Sequence, residues 1–202
     1  MTDEQPARDR VAEFEAAYEE TPPWDIGAPQ SAFATLAADG RLRGRVLDVG
    51  CGTGEHVLMA ADAGCEAVGI DIASSAIRLA RAKASKRGTS ARFIVGDARN
   101  LASFGQQFDV VLDCGLFHVL DDEDRAPFVA SVASVIRSGG EYFMLCFSEN
   151  EPGVWGPRRV TQDQIRQAFT DGWHVEAIEP ADLNVTFRAE PVRSWFASIA
   201  RT

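Results

Sequence analysis

The sequence predicts an α/β fold: a mostly parallel sheet covered on both faces by helices, with an antiparallel pair at its C-terminal end. Three observations carry that prediction. Short apolar runs alternate with helical patterns of about three turns, the spacing of βαβ crossovers. A glycine-rich stretch, Val46-Leu47-Asp48-Val49-Gly50-Cys51-Gly52-Thr53-Gly54-Glu55, joins the first apolar run to the first helix after it. Beyond residue 170, two apolar runs follow one another with no long helix between them, which favours antiparallel pairing.

Taken in order, Val11, Phe14 and Tyr18 fall at helical spacing, and Thr21-Pro22-Pro23-Trp24-Asp25 ends that helix. Arg45–Val49 reads as the first strand and Glu55–Ala63 as a helix ending at Gly64. Glu66–Asp71 is the second strand; Ser74 is placed to cap a helix through Arg87, which Gly88 stops. Ala91–Val95 and Phe108–Asp113 are the third and fourth strands. A helix over Asp122–Arg137 is closed by Gly139-Gly140, and Glu141–Phe147 is the fifth strand. Thr161–Phe169 reads as a helix, with Trp173–Pro180 and Ser194–Ala200 as the final strands. No repeat, low-complexity run or long linker divides the chain. One domain over residues 1–202 is expected, with residues 1–40 as a helical flap and 41–202 as the core.

Composition narrows the function classes. With 46% hydrophobic and 25% charged residues in 202, the chain can bury a core, and disordered, collagenous and coiled-coil classes are excluded. Twenty basic against 30 acidic residues give a net charge of -10, which repels a phosphate backbone. No basic stripe offsets it, so no nucleic-acid partner is expected. No stretch approaches the roughly 18 apolar residues of a membrane helix. Met1-Thr2-Asp3-Glu4-Gln5 is acidic where a signal peptide starts basic, so a cytoplasmic protein without a membrane partner is expected. Cys51, Cys65, Cys114 and Cys146 form no Cys-x-x-Cys pair, so reduced thiols and no metal site are expected. The sequence carries no signal of its oligomeric state.

The chemistry sits at the ends of the first three strands. Glycines let the loop turn sharply and approach a ligand closely. A dinucleotide fingerprint would need glycine at position 55; Glu55 stands there, and its charge would repel a diphosphate at the helix N-terminus. This argues against an NAD(P) oxidoreductase. Asp48, before the first glycine, could hold a cationic ligand. Asp71 closes the second strand, where a carboxylate can bind both ribose hydroxyls. Gly96-Asp97-Ala98 adds a third acid, so carboxylates follow three successive strands along one sheet edge.

Over nearly its whole length the chain resembles the class I S-adenosylmethionine-dependent methyltransferases, through VLDVGCGTG, GIDIA and GDARNL. The resemblance implies a Rossmann-like three-layer αβα fold with a seven-stranded, mostly parallel sheet whose last strand is antiparallel. It implies S-adenosyl-L-methionine as cofactor, with Gly50, Cys51, Gly52 and Gly54 passing under its methionine part near Asp48. Asp71 would hold the ribose, Ile72 would lie against the adenine, and Asp97 would take the adenine amino group with Ala98 beside it. Cys114 would touch the cofactor from the end of strand four. The small-molecule type it resembles includes heterocyclic-toxin methyltransferases, and Phe14-x3-Tyr18 followed by Pro23-Trp24-Asp25-Ile26-Gly27 is similar to the flap of thiol and thiopurine methyltransferase-like enzymes. There the tryptophan, here Trp24, covers the cofactor near the methyl group, where an aromatic face can meet a sulfonium.

Methyl transfer from a sulfonium is an in-line displacement in which the protein mainly aligns the reactants. Asp113-Cys114-Gly115-Leu116-Phe117-His118 lacks the N/D-P-P-Y/F signature of amino methyltransferases, and the chain has no Pro-Cys pair. Residues 148–193 are too short a stretch for a protein-docking domain. A small-molecule acceptor is therefore expected, with Phe117, Phe147 and Trp155 as walls and His118 as the candidate general base. Arg158-Arg159 either flanks the acceptor mouth or is a solvated loop pair; His56 reads as structural and His174, on a late strand, as a surface or core residue. The expected function is methyl transfer to O, N or S of a small aromatic or heterocyclic molecule. The alternatives are S-methylation of small thiols or hydrosulfide, and a non-catalytic S-adenosylmethionine sensor.

Overall fold

The computed structural model describes residues 4–202. In chain order the elements are α1 (Glu4–Ala17), α2 (Ser31–Ala38), β1 (Arg45–Val49), α3 (Glu55–Asp62), β2 (Glu66–Asp71), α4 (Ser74–Arg87), β3 (Arg92–Val95), β4 (Phe108–Cys114), α5 (Asp122–Val135), β5 (Ile136–Phe147), α6 (Gln162–Ala168), β6 (Trp173–Leu183) and β7 (Val192–Arg201). Short 3-10 turns lie at Ala98–Phe104 and Phe117–Val119.

Strand side chains alternate between two buried faces. On β1, Leu47 and Val49 join one core and Val46 the other; on β5, Tyr142, Met144 and Cys146 oppose Phe143, Leu145 and Phe147. A strand buried on both sides reads as an unbroken apolar run, which is why these segments were legible. The strands form one seven-stranded sheet in the order β3-β2-β1-β4-β5-β7-β6. Neighbours from β3 to β5 are parallel. β7 inserts between β5 and β6 and runs antiparallel to both, as expected. Chain order reverses between β1 and β4, opening a crevice at the carboxyl ends of those strands, the usual ligand position in such sheets.

Four local expectations are corrected. Ser74 is not a cap: Ala73 holds the N-cap position without a side-chain bond, and Ser74 is the first helical residue. Glu15 of α1 caps α4 instead, accepting from the Ser74 and Ser75 amides at 2.6 and 3.0 Å. Gly139-Gly140 does not close α5, because Ile136 is already extended and pairs with Phe108. The two glycines lie within β5 at an irregularity, where a Cβ on Gly140 would stand 2.7 Å from the Ile136 side chain. Helix α2 was not expected: its eight residues follow Gln30, which gives no side-chain cap, so the usual start signal is missing. The final strands also run longer than predicted, to Leu183 and from Val192.

Candidate active site

The loop leaving β1 turns on three glycines with positive φ: Gly50 at +68°, Gly52 at +52° and Gly54 at +88°. Space as well as backbone requires them. A Cβ on Gly52 would meet the Tyr18 hydroxyl at 2.9 Å, and one on Gly54 would meet the Phe93 ring at 2.6 Å. Asp71, at the end of β2, fixes the loop by accepting from the Gly52 amide at 2.8 Å and the Ala73 amide at 2.9 Å. Each carboxylate oxygen keeps lone-pair capacity for a further donor. Asp97 pairs with Arg99, which also reaches Asp124 of α5 at 2.7 Å.

Asp48 is 1% exposed under the loop, and neither of its oxygens has a hydrogen-bond partner. Burial, then the nearby Asp113 and Asp71, push its carboxyl well above the ordinary carboxylate range. A buried acid without a partner is costly. Its nearest cation candidate is His56, whose Nδ1 lies 3.8 Å away. That ring's Nε2 accepts from the Gln30 amide at 3.1 Å, and burial pushes its pKa down to about 4, so it stays neutral. An orphaned acid beneath a glycine cradle fits a ligand that brings a cationic group.

Above the loop opens a cavity of about 340 Å³. Every expected cofactor-contacting or catalytic residue except Asp48 lines it: Trp24, Gly50, Cys51, Gly52, Gly54, Asp71, Ile72, Asp97, Ala98, Cys114 and His118. Glu55, at the cavity edge, is not a free charge; it is buried and paired with Lys83 at 2.8 Å and Arg87 at 2.9 Å. Trp24 roofs the cavity, its indole N–H donating to the Tyr18 hydroxyl at 3.0 Å and its ring meeting Phe14 and Tyr18 edge-on. Asp25 anchors that flap by accepting from the Thr53 hydroxyl at 2.8 Å, and Lys83 donates to the same hydroxyl at 2.6 Å.

The other end of the cavity is apolar, walled by Phe147, Trp155 and Phe187. Phe117 is not a wall; it is fully buried in the core against Phe169. His118 is 5% exposed, and its Nδ1 accepts the Phe147 amide at 3.0 Å. The ring proton therefore sits on Nε2, and burial with Arg159 and Arg125 nearby pushes the pKa down to about 3. A ring in this state is neutral, with Nδ1 occupied and its proton on Nε2. Arg158 forms a surface pair with Asp122 at 2.7 Å. His174 is exposed on β6.

Sequence reasoning missed Asp113 at this end, and for Arg159 it left open a place at the acceptor mouth or in a solvated loop. Asp113 accepts from the Leu116 amide and the Tyr142 hydroxyl, both at 2.7 Å, and so fixes the turn that carries His118. Burial raises it to about 6. Arg159 donates to the carbonyls of Glu151, Trp155 and Pro157 at 2.7–3.1 Å, and its guanidinium lies over the Phe147 and Trp155 rings. An acid closing a strand's apolar run was the one signal for Asp113; Arg159 binds carbonyls that leave no sequence pattern. The four cysteines are free, and among the described residues no group of His, Cys, Asp or Glu could hold a metal ion. No helix among them is long and apolar enough to cross a membrane.

Fold, glycine loop and cavity define the class: an α/β protein with a ligand cavity at the carboxyl ends of its parallel strands. A family profile described as a methyltransferase domain matches residues 46–140. A 2-heptyl-1-hydroxyquinolin-4(1H)-one methyltransferase of Mycobacteroides abscessus is 36% identical over 165 residues, covering 80% of this chain and 73% of that protein. "Probable thiol methyltransferase 2" of Arabidopsis thaliana is 28% identical over 150 residues, covering 73% and 66%. A structure solved in work on conversion of a disulfide bond into a thioacetal group during echinomycin biosynthesis superposes with TM-score 0.87 at 32% identity, covering 95% of this chain and 92% of that one. The chain belongs to the S-adenosylmethionine-dependent methyltransferases. It is an enzyme whose cofactor is S-adenosylmethionine.

Proposed function

We propose that the protein methylates an oxygen or ring nitrogen of a small, lipophilic aromatic or heterocyclic molecule. The observation that carries this reading is the continuity of the glycine-loop cavity with an apolar compartment walled by Phe147, Trp155 and Phe187, in which His118 is a polar group. Similarity to a hydroxyquinolone methyltransferase supports it.

When bound, S-adenosylmethionine supplies a methyl group activated on a sulfonium. In this reading Gly50, Cys51, Gly52 and Gly54 leave room for its methionine part, and the unpartnered acid of Asp48, buried beneath that loop, would ionise in response to the cationic end. Asp71 keeps lone pairs for the ribose hydroxyls, Ile72 and Ala98 flank the adenine, and Asp97 accepts from its amino group. Cys114 borders the cofactor at the end of β4. Trp24, held by Tyr18 and Asp25, shuts water out above the methyl group, so residues 1–40 act as a flap on a core formed by 41–202. The alternative, transfer to a small thiol, draws support from the likeness to the echinomycin-pathway structure, whose chemistry is at sulfur.

The test is methyl-label transfer from S-adenosylmethionine to a panel of hydroxyquinolones, phenols, thiols and hydrosulfide. Label in hydroxyl or ring-nitrogen products is expected. Label in thiols alone would replace this reading by the alternative, and cofactor binding without any transfer would favour a sensor.

A further inference from the structure

We propose that the site contains no general base, that the acceptor binds with its nucleophile already ionised, and that His118 holds this anion as a neutral hydrogen-bond donor. The inference rests on the function proposed above and specifies which acceptors that site can use.

The geometry accounts for the histidine, carboxylate and tyrosine candidates of the cavity one by one, and the buried thiols of Cys51 and Cys114, pushed well above the ordinary thiol range by desolvation and nearby acids, keep their protons. His118 spends its Nδ1 lone pair on the Phe147 amide, which leaves Nε2 as an N–H. Nε2 has no protein partner among the described residues and stands beside Gly115, where a Cβ would approach it to 3.2 Å. Glycine at 115, with φ +89°, keeps that nitrogen uncovered. To accept a proton the ring would have to release the Phe147 amide into a buried site, which is costly. His56 is occupied in the same way by the Gln30 amide. Asp25 is bonded to Thr53 and the Gly27 amide, Asp71 to Gly52 and Ala73, and Glu55 and Asp97 to their cations. The Tyr18 hydroxyl accepts from Trp24 and keeps its own proton, because burial raises its pKa.

The charges around His118 agree. Arg125 of α5 and Arg159 of the loop after β5 are the charged groups that face it, and both are positive. Asp113, the acid of its own segment, is turned into Tyr142 and the Leu116 and Phe117 amides. This surrounding disfavours an imidazolium and favours an anion in front of Nε2.

The reaction balances without a base. The anionic oxygen or sulfur forms a bond to the methyl carbon as that carbon's bond to the sulfonium sulfur breaks, and the electron pair stays on sulfur. Anion and cation become two neutral products, and no proton is released in the cavity. Such loss of charge is favoured by apolar walls. Suitable acceptors are those ionised near neutral pH, such as N-hydroxy heteroaromatics, acidic phenols or acidic thiols.

The experiment is a pH profile of kcat/KM from pH 5 to 9 with ring-substituted 1-hydroxyquinolin-4(1H)-ones graded in acidity. The wild-type enzyme is compared with His118→Gln, which keeps an N–H donor, and His118→Ala. The rate is expected to rise tenfold per pH unit up to a midpoint that follows each acceptor's own pKa. His118→Ala should lower kcat about tenfold without moving that midpoint, with partial recovery in His118→Gln. A midpoint common to all acceptors, lost in both variants, would establish His118 as a base and overturn the proposal. If hydroxyquinolones are untouched and thiols are methylated, the acceptor reading fails separately, and the same criterion applied to a graded thiol series decides this one.

Discussion

The two ends of the cavity are built on opposite plans. At the glycine-loop end, side chains serve the backbone of a single loop: Asp71 closes β2 and ties the Gly52 and Ala73 amides, and the glycines stand where packed side chains leave no room. At the acceptor end, walls come from distant segments: the flap around Trp24, the turn carrying His118, the loop carrying Trp155, and Phe187 between β6 and β7. There the fixing bonds run from side chains to carbonyls and amides of irregular chain, as from Arg159 to the loop after β5. A ligand common to many enzymes can be met by a fixed motif, whereas a particular acceptor is met by whatever the loops bring together. If this division is real, substitutions at one end should leave the other end's parameters alone.

The largest effect is expected at the glycine loop. Gly54→Val forces a branched side chain into positive φ and into the Phe93 ring, and should destabilise the fold by about 3–5 kcal/mol. Denaturant unfolding would measure it; a loss below ~1 kcal/mol would mean the loop relaxes and is not the rigid half.

Next is Asp48→Asn, which should weaken S-adenosylmethionine binding about ten- to a hundredfold by calorimetry, since hydrogen bonds to charged groups contribute about 1.5–3 kcal/mol. Without cofactor the same variant should gain on wild type as pH rises. The folded-state pKa of Asp48 is raised, so wild type loses stability as pH climbs from about 3.9 through that raised value. Asparagine carries no such proton linkage. A stability difference that is flat with pH would contradict the raised pKa.

Arg159→Lys sharpens the comparison from the other side. Lysine cannot span several carbonyls in a planar fork, so the Trp155 loop should loosen. Acceptor KM should rise about fivefold to twentyfold, a loss of roughly 1–2 kcal/mol, with cofactor affinity unchanged. An equal fall in cofactor affinity would show that the two ends are not independent.

The smallest effect belongs to Arg158→Ala. Its partner Asp122 is 72% exposed, and such surface pairs contribute about 0–1 kcal/mol. Steady-state rates should change less than about twofold, within that range. A large rise in acceptor KM would restore the reading in which Arg158 steers substrate.

Sequence by itself determined the parallel sheet, its antiparallel end and the glycine loop that leaves β1. Those features depend on periods of two and on glycines and acids within a few positions of one another, and both are written locally. It could not determine that α4 is capped by Glu15 from a separate helix, or that Phe117 turns inward while Phe147 and Trp155 face the cavity. Nor could it assign the proton on His118, because the Phe147 amide that decides it lies 29 residues away. Only tertiary packing joins such pairs, and burial then sets which protonation state each group keeps.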